Sequence, residues 1–135
     1  MAYKVIDIEG VGEVYAKQLQ SAGIEKVEEL LEKCATRAGR KALADSTGIS
    51  SKLILKWTNH ADLFRIKGVG PQFAELLEAS GVDTVKELRN RVASNLQSKL
   101  EAVNSEKNLC NRVPAETEVQ RMIDEAKELA PVVEY

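Results

Sequence analysis

Two short turns, Gly10-Val11-Gly12 and Gly68-Val69-Gly70, are the places where this chain could do chemistry. Each follows an isoleucine, Ile8 or Ile66, and leads into an apolar helical pattern closed by a further glycine, Gly23 or Gly81. Glycine on both sides of the turn permits positive φ and leaves no Cβ, so the backbone can approach a flat or charged surface closely. The helix that follows presents its unpaired N–H groups and the positive end of its dipole, which is an anion site of the size of a phosphate. Ala16 with Leu19, and Ala74 with Leu77, supply the small and large side chains that let two helices of a hairpin cross tightly.

The two turns belong to one repeat. From Ile8 to Leu30 and from Ile66 to Leu88, at an offset of 58 positions, ten of twenty-three pairs are identical. Unrelated helices of ordinary composition would share roughly one or two.

At these residues the sequence resembles the helix-hairpin-helix family, whose members bind the backbone of double-stranded DNA without reading bases. Over its whole length, including Ala35-Thr-Arg-Ala-Gly-Arg40 and Thr47-Gly-Ile-Ser-Ser51, it resembles a family of small bacterial proteins with two such hairpins that bears a domain-of-unknown-function label. The resemblance implies that amides after Gly12 and Gly70 bind phosphates, that the two hairpins follow opposite strands across a minor groove, and that hairpin carbonyls hold a monovalent cation. In DNA-binding hairpins the second residue after the last glycine is commonly Lys or Arg, whereas here these positions are Val14 and Gln72. Glu9 and Glu13 flank the first hairpin, where Lys17 is the nearby cation; Arg65 and Lys67 make the second the better phosphate site.

Charge is unevenly spread. The net formal charge of the 135 residues is −2, yet residues 33–67 carry eight Lys and Arg against two Asp and Glu, while residues 1–32 and 101–135 each sum to −4. An acidic total argues against tight non-specific DNA binding. The central basic run, Lys33, Arg37, Arg40, Lys41, Lys52, Lys56, Arg65 and Lys67, argues for a phosphate track if these side chains share a face with the second hairpin. The other reading is of solvated helix faces balanced by the acidic ends.

The elements that position the turns are helical. Hydrophobic residues make up 44% of the chain and aromatics only 4%, and apolar positions recur at three and four. The expected fold is all-α: two pseudo-repeats, 1–62 and 63–131, each a helix-hairpin-helix plus extra helices, packed as one compact domain. Val27, Leu30 and Leu31 predict a buried helix face ending near Lys33 or Cys34, Thr36 an N-cap, Gly48 a helix stop and Ser50 the next cap. Val85, Leu88, Val92, Leu96, Leu100 and Val103 predict the core of the second half. Pro114, at a favoured first-turn position, announces a last helix through Val119, Met122, Ile123, Ala126 and Leu129 to Pro131.

Ala44, Gly48 and Ile54 also have helix-turn-helix spacing, in which Ser51, Lys52, Leu55, Lys56 and Asn59 would face a major groove; a tight turn between two core helices explains the same residues. Trp57 and Tyr15 read as packing residues. With Cys34 and Cys110 as the only thiols and His60 the only histidine, no zinc set, nucleophile motif or other active-site signature is present. No apolar run reaches the roughly 18 residues that span a bilayer, and the protein is expected in the cytoplasm. The leading expectation is therefore a non-enzymatic, sequence-independent DNA-binding module whose partner is duplex DNA, with Gly10, Val11, Gly12, Lys17, Arg40, Lys41, Lys52, Lys56, Arg65, Lys67, Gly68, Val69 and Gly70 at the interface. The rival is a protein-interaction or scaffold module on the same fold. No small-molecule substrate and no cofactor beyond the monovalent cation is indicated.

Overall fold

The computed structural model describes residues 3–135, and they are all-helical, with no strand among them. No helix among the described residues is long and apolar enough to cross a membrane. Contacts divide the chain into two units, Met1–Asp62 with Val132–Tyr135, and Leu63–Pro131.

The first unit begins with a 3₁₀ turn, Val5–Asp7, followed by α1 (Glu13–Ser21), α2 (Val27–Cys34), α3 (Arg37–Thr47) and α4 (Ser51–Leu63). In α2, Val27, Leu30, Leu31 and Cys34 fall at helical spacing and all four are buried. The helix starts where the Glu29 carboxylate turns back to accept from the amides of Lys26, at 2.8 Å, and Glu25, at 3.2 Å. Those two amides, Lys26 foremost, hold the Glu29 carboxyl below its ordinary pKa. The N-terminal segment is tied beside it, with Val5 N–H on the Glu25 carbonyl and Val27 N–H on that of Tyr3.

α3 lies hard against α2. A Cβ at Gly39 would overlap the Lys33 carbonyl oxygen, so only glycine lets the two backbones approach at that point. Thr36 caps α3 by accepting from Gly39 N–H at 3.1 Å, and Gly48, at φ 77°, ends it in the left-handed conformation. Ser50 Oγ accepts from Lys52 N–H at the start of α4. Trp57 is fully buried on α4, with the Tyr15 ring edge-on to it at 5.0 Å.

The second unit holds α5 (Pro71–Ala79), a single turn α6 (Val85–Leu88), α7 (Ala93–Lys107) and α8 (Glu116–Glu128). Leu76, Leu77, Val82, Val85, Leu88, Leu96, Leu100, Met122 and Ile123 are buried. Asn108, at φ 52°, ends α7, and the Asn104 side chain accepts from the amides of Leu109 and Cys110 and donates to the Cys110 carbonyl, fixing the turn that follows. Arg89 Nη2 donates to the carbonyls of Ala126 and Leu129 at the end of α8, where cation and helix dipole attract.

Three details differ from the sequence-based expectation. Val92 is 59% exposed, because it is the extended residue that leads into α7 rather than part of a helix face. Pro114 precedes the N-cap, Ala115, and is buried there instead of occupying the first helical turn. α8 ends at Glu128, three residues before Pro131, with Leu129 as its extended C-cap. Neither cysteine is in a disulfide, both are buried, and burial pushes the Cys34 thiol above its ordinary pKa.

Candidate nucleic-acid interface

The two glycine turns have the same backbone. Gly10 sits at φ 91° and Gly68 at φ 92°, a region closed to most side chains. Gly12 (φ −86°, ψ −177°) and Gly70 (φ −103°, ψ −174°) are both extended and stand as N-caps of α1 and α5. Val11 N–H bonds to the Ile8 carbonyl at 3.0 Å and Val69 N–H to that of Ile66 at 3.1 Å. The buried side chains of Ile8, Val11, Ile66 and Val69 anchor the turns from below. Gly23 (φ 86°) and Gly81 (φ 92°) then end α1 and α5, donating to Gln20 and Glu78.

No side chain caps either helix start. At α1 this leaves the amides of the first turn facing outward with Gly10 and Gly12 exposed, and a Cβ built on either glycine would touch nothing within 4 Å. Backbone N–H groups in such a position bind anions. The side chains around them are less favourable: Glu9 and Glu13 are exposed, Val14 is 73% exposed, and the exposed Lys17 lies one turn into the helix.

The second turn is engaged by its own unit. Glu125 on α8 accepts from Lys67 N–H through both carboxylate oxygens, at 3.3 and 3.2 Å. Arg121 donates to the Lys67 carbonyl at 2.9 Å and to Glu125 at 3.2 Å, and its guanidinium lies where a Cβ on Gly68 would point. Thus both peptide groups of Lys67 are held by α8, while the Lys67 side chain is exposed. Arg65 is half-buried and donates to the Ala130 carbonyl at 2.8 Å. Sequence reasoning did not find Arg121 and Glu125, which lie 54 and 58 residues beyond the lysine they hold; their four-residue spacing on a helix marks an ion pair but not its target.

Lys33, read from the sequence as part of a phosphate track, and Arg91, which that reading passed over, are both engaged with backbone. Lys33 Nζ donates to the Ala22 carbonyl at 2.9 Å and Arg91 Nη2 to that of Gly81 at 2.8 Å, so a cation from the following segment closes the C-terminal end of α1 in one unit and of α5 in the other. These two cations stand 58 positions apart, the offset of the repeat.

The central basic run divides by role. Arg40 is buried, and its guanidinium donates to the carbonyls of Cys34, Ala35 and Glu134, which places it at the end of α2 as a fold-holding cation instead of on a phosphate-facing surface. Arg37, Lys41 and Lys52 are exposed and line one groove of about 570 Å³ with Ser51, Leu55 and Tyr135. Lys56 is half-buried. Asn59 is buried and accepts from the Tyr135 hydroxyl at 3.2 Å, so it does not face outward with Lys52 as a groove-reading helix would require.

The chain matches the family model described as Domain of unknown function (DUF4332) over residues 9–129, and it belongs to that family. No curated protein and no solved structure matches it.

Proposed function

We propose that this member of the DUF4332 family is a non-enzymatic module that binds the phosphate backbone of duplex DNA through tandem helix-hairpin-helix elements without reading sequence. The observation that carries the reading is the identical glycine turn in each unit, followed by a helix whose first amides no side chain caps. In that role the amides of the first turn of α1 receive one phosphate and those of α5 another, with Lys17 and Lys67 supplying charge. A monovalent cation, implied by the resemblance to helix-hairpin-helix proteins, would be held by hairpin carbonyls.

Gly12→Val is the discriminating variant. Position 12 has an extended backbone open to any residue, and a Cβ there has no atom of the protein within 4 Å, so the substitution is expected to leave folding intact and to obstruct an approaching ligand. A mobility shift with duplex DNA at low salt is expected to show binding by the parent and at least a tenfold loss in the variant. Equal binding by both would remove the first hairpin from the interface.

Exposed Ile6 (45%) and Val14 (73%), beside Glu9 and Glu13, favour a second reading in which the first hairpin docks a protein instead of DNA. Failure of the parent to bind any duplex at low salt would select it.

A further inference from the structure

The groove along α3 has a composition unlike the other grooves of its unit. Arg37, Arg40, Lys41 and Lys52 line it, and no Asp or Glu is among its lining residues. The groove beside the first hairpin, by contrast, balances Lys4 and Lys17 with Glu13 and Glu25. Arg40 sits in the wall with its charge matched by three carbonyl oxygens, which satisfy its N–H groups without cancelling the charge. Asp45 pairs with Lys41 at 3.5 Å, with both side chains mostly exposed, an interaction too weak to hold the lysine. Arg37 and Lys41 stand one turn apart on α3, and Lys52 reaches in from the start of α4.

Charge is only half of the site. Leu55, one turn beyond Lys52 on α4, and the Tyr135 ring, tethered by its hydroxyl to Asn59, add apolar surface to the groove. Its volume of about 570 Å³ lies within the range of small-molecule sites. A duplex backbone would use only the cations of this open groove, whereas a ligand that joins several negative charges to a flat apolar body would use the cations and the apolar surface together. Ser51, at the first turn of α4, adds a hydroxyl at the cationic end.

We infer that this groove is a binding site for a nucleoside polyphosphate, with Arg37, Lys41 and Lys52 on the phosphates and Leu55 and Tyr135 against the base. Three exposed cations and the buried Arg40 match the charge of a triphosphate. The inference does not rest on duplex binding by the hairpins, which lie outside the groove.

The test is isothermal titration of the full chain at low ionic strength without divalent cations, using ATP, tripolyphosphate and adenosine as probes. One equivalent of ATP is expected to bind, tripolyphosphate several-fold more weakly, and adenosine not at all. Arg37→Gln and Lys52→Gln should each weaken ATP about five- to tenfold, as loss of a charged hydrogen bond does, with circular dichroism unchanged; Lys99→Gln, in the other unit, should match the parent. Amide chemical-shift changes on adding ATP should centre on residues 37–55. No ATP binding, equal binding of tripolyphosphate and ATP, or variants within twofold of the parent would each overturn the inference. Loss of duplex affinity in the Arg37 and Lys52 variants without any ATP binding would also overturn it, and would assign the groove to a DNA track.

Discussion

At the scale of single residues, glycines do three different jobs here, and only one is visible in a string of letters. Gly10 and Gly68 are needed for their positive φ, Gly12 for the empty space above it, and Gly39 because α2 passes directly over it. Gly39→Ala should therefore destabilise the first unit although alanine is the better helix former. Propensity alone favours the substitution by about 0.8–1 kcal/mol, whereas forcing atoms into a filled contact costs about 1–3 kcal/mol, and here the obstacle is backbone that cannot swing aside. Denaturant unfolding of the variant should show a lower midpoint at unchanged slope; a higher midpoint would mean that the two helices slide apart freely. The repeat spelled out Gly10 and Gly68, since turn chemistry is local. Gly39 lies in the Ala35–Arg40 stretch, where nothing local states that a carbonyl six residues earlier lies above it. Arg40 is the same lesson in charge: it reads as one more cation in a basic run, and its partners include a carbonyl 94 residues away.

Elements were legible wherever a period and a cap coincided. α2 follows from Val27, Leu30 and Leu31 with Cys34, and α3 from Thr36 and Gly48, because burial spacing and capping are both written within a few residues. The start of α8 was misplaced because Pro114 suits either side of an N-cap, and the choice is made by Glu118. That carboxylate accepts from both Arg112 guanidinium nitrogens, at 2.9 and 3.0 Å, and from Ala115 N–H. Arg112 first and the Ala115 amide second hold Glu118 at a pKa of about 2, down from 4.5. A carboxylate whose pKa is lowered by folding stabilises the fold above its unfolded pKa and loses that contribution as pH falls toward the folded value. Fraying of α8 at its N-terminal end should thus grow between about pH 4.5 and 2, and Glu118→Gln should remove the pH dependence assigned to this site. Amide exchange at Glu116–Val119 measures it; identical pH profiles for parent and variant would show that the Arg112 pair contributes nothing to the helix start.

For the whole molecule the question is whether a chain of net charge −2 can hold a polyanion, and magnitude decides it. At 0.15 M salt fields are screened beyond about 8 Å, so the charges beside each turn set the attraction, with Lys17 and Lys67 favouring it and Glu9, Glu13 and Glu125 opposing it. Two hairpins with Lys17, Lys67 and a few of the central cations would neutralise about 4–6 phosphates, which gives a log–log slope of affinity against salt of roughly −4 to −5. Binding should be weakly sequence-dependent and lost by 0.5 M salt. The two hairpins should differ in how they respond to charge. Glu9→Lys removes an exposed acid beside the open amides of α1, and Lys67→Glu sets one beside a turn that Glu125 already occupies. An exposed charge near a helix end is worth about 0.3–1 kcal/mol, so the first change should raise duplex affinity a few-fold and the second lower it by a similar factor. Glu125→Gln tests the second turn, because it withdraws a negative charge held beside Lys67 while keeping the side chain's shape. Duplex affinity should rise a few-fold in that variant if the second hairpin meets DNA. An unchanged affinity with an unchanged salt slope would leave α8 as a permanent cover on that turn and restrict the interface to the first hairpin.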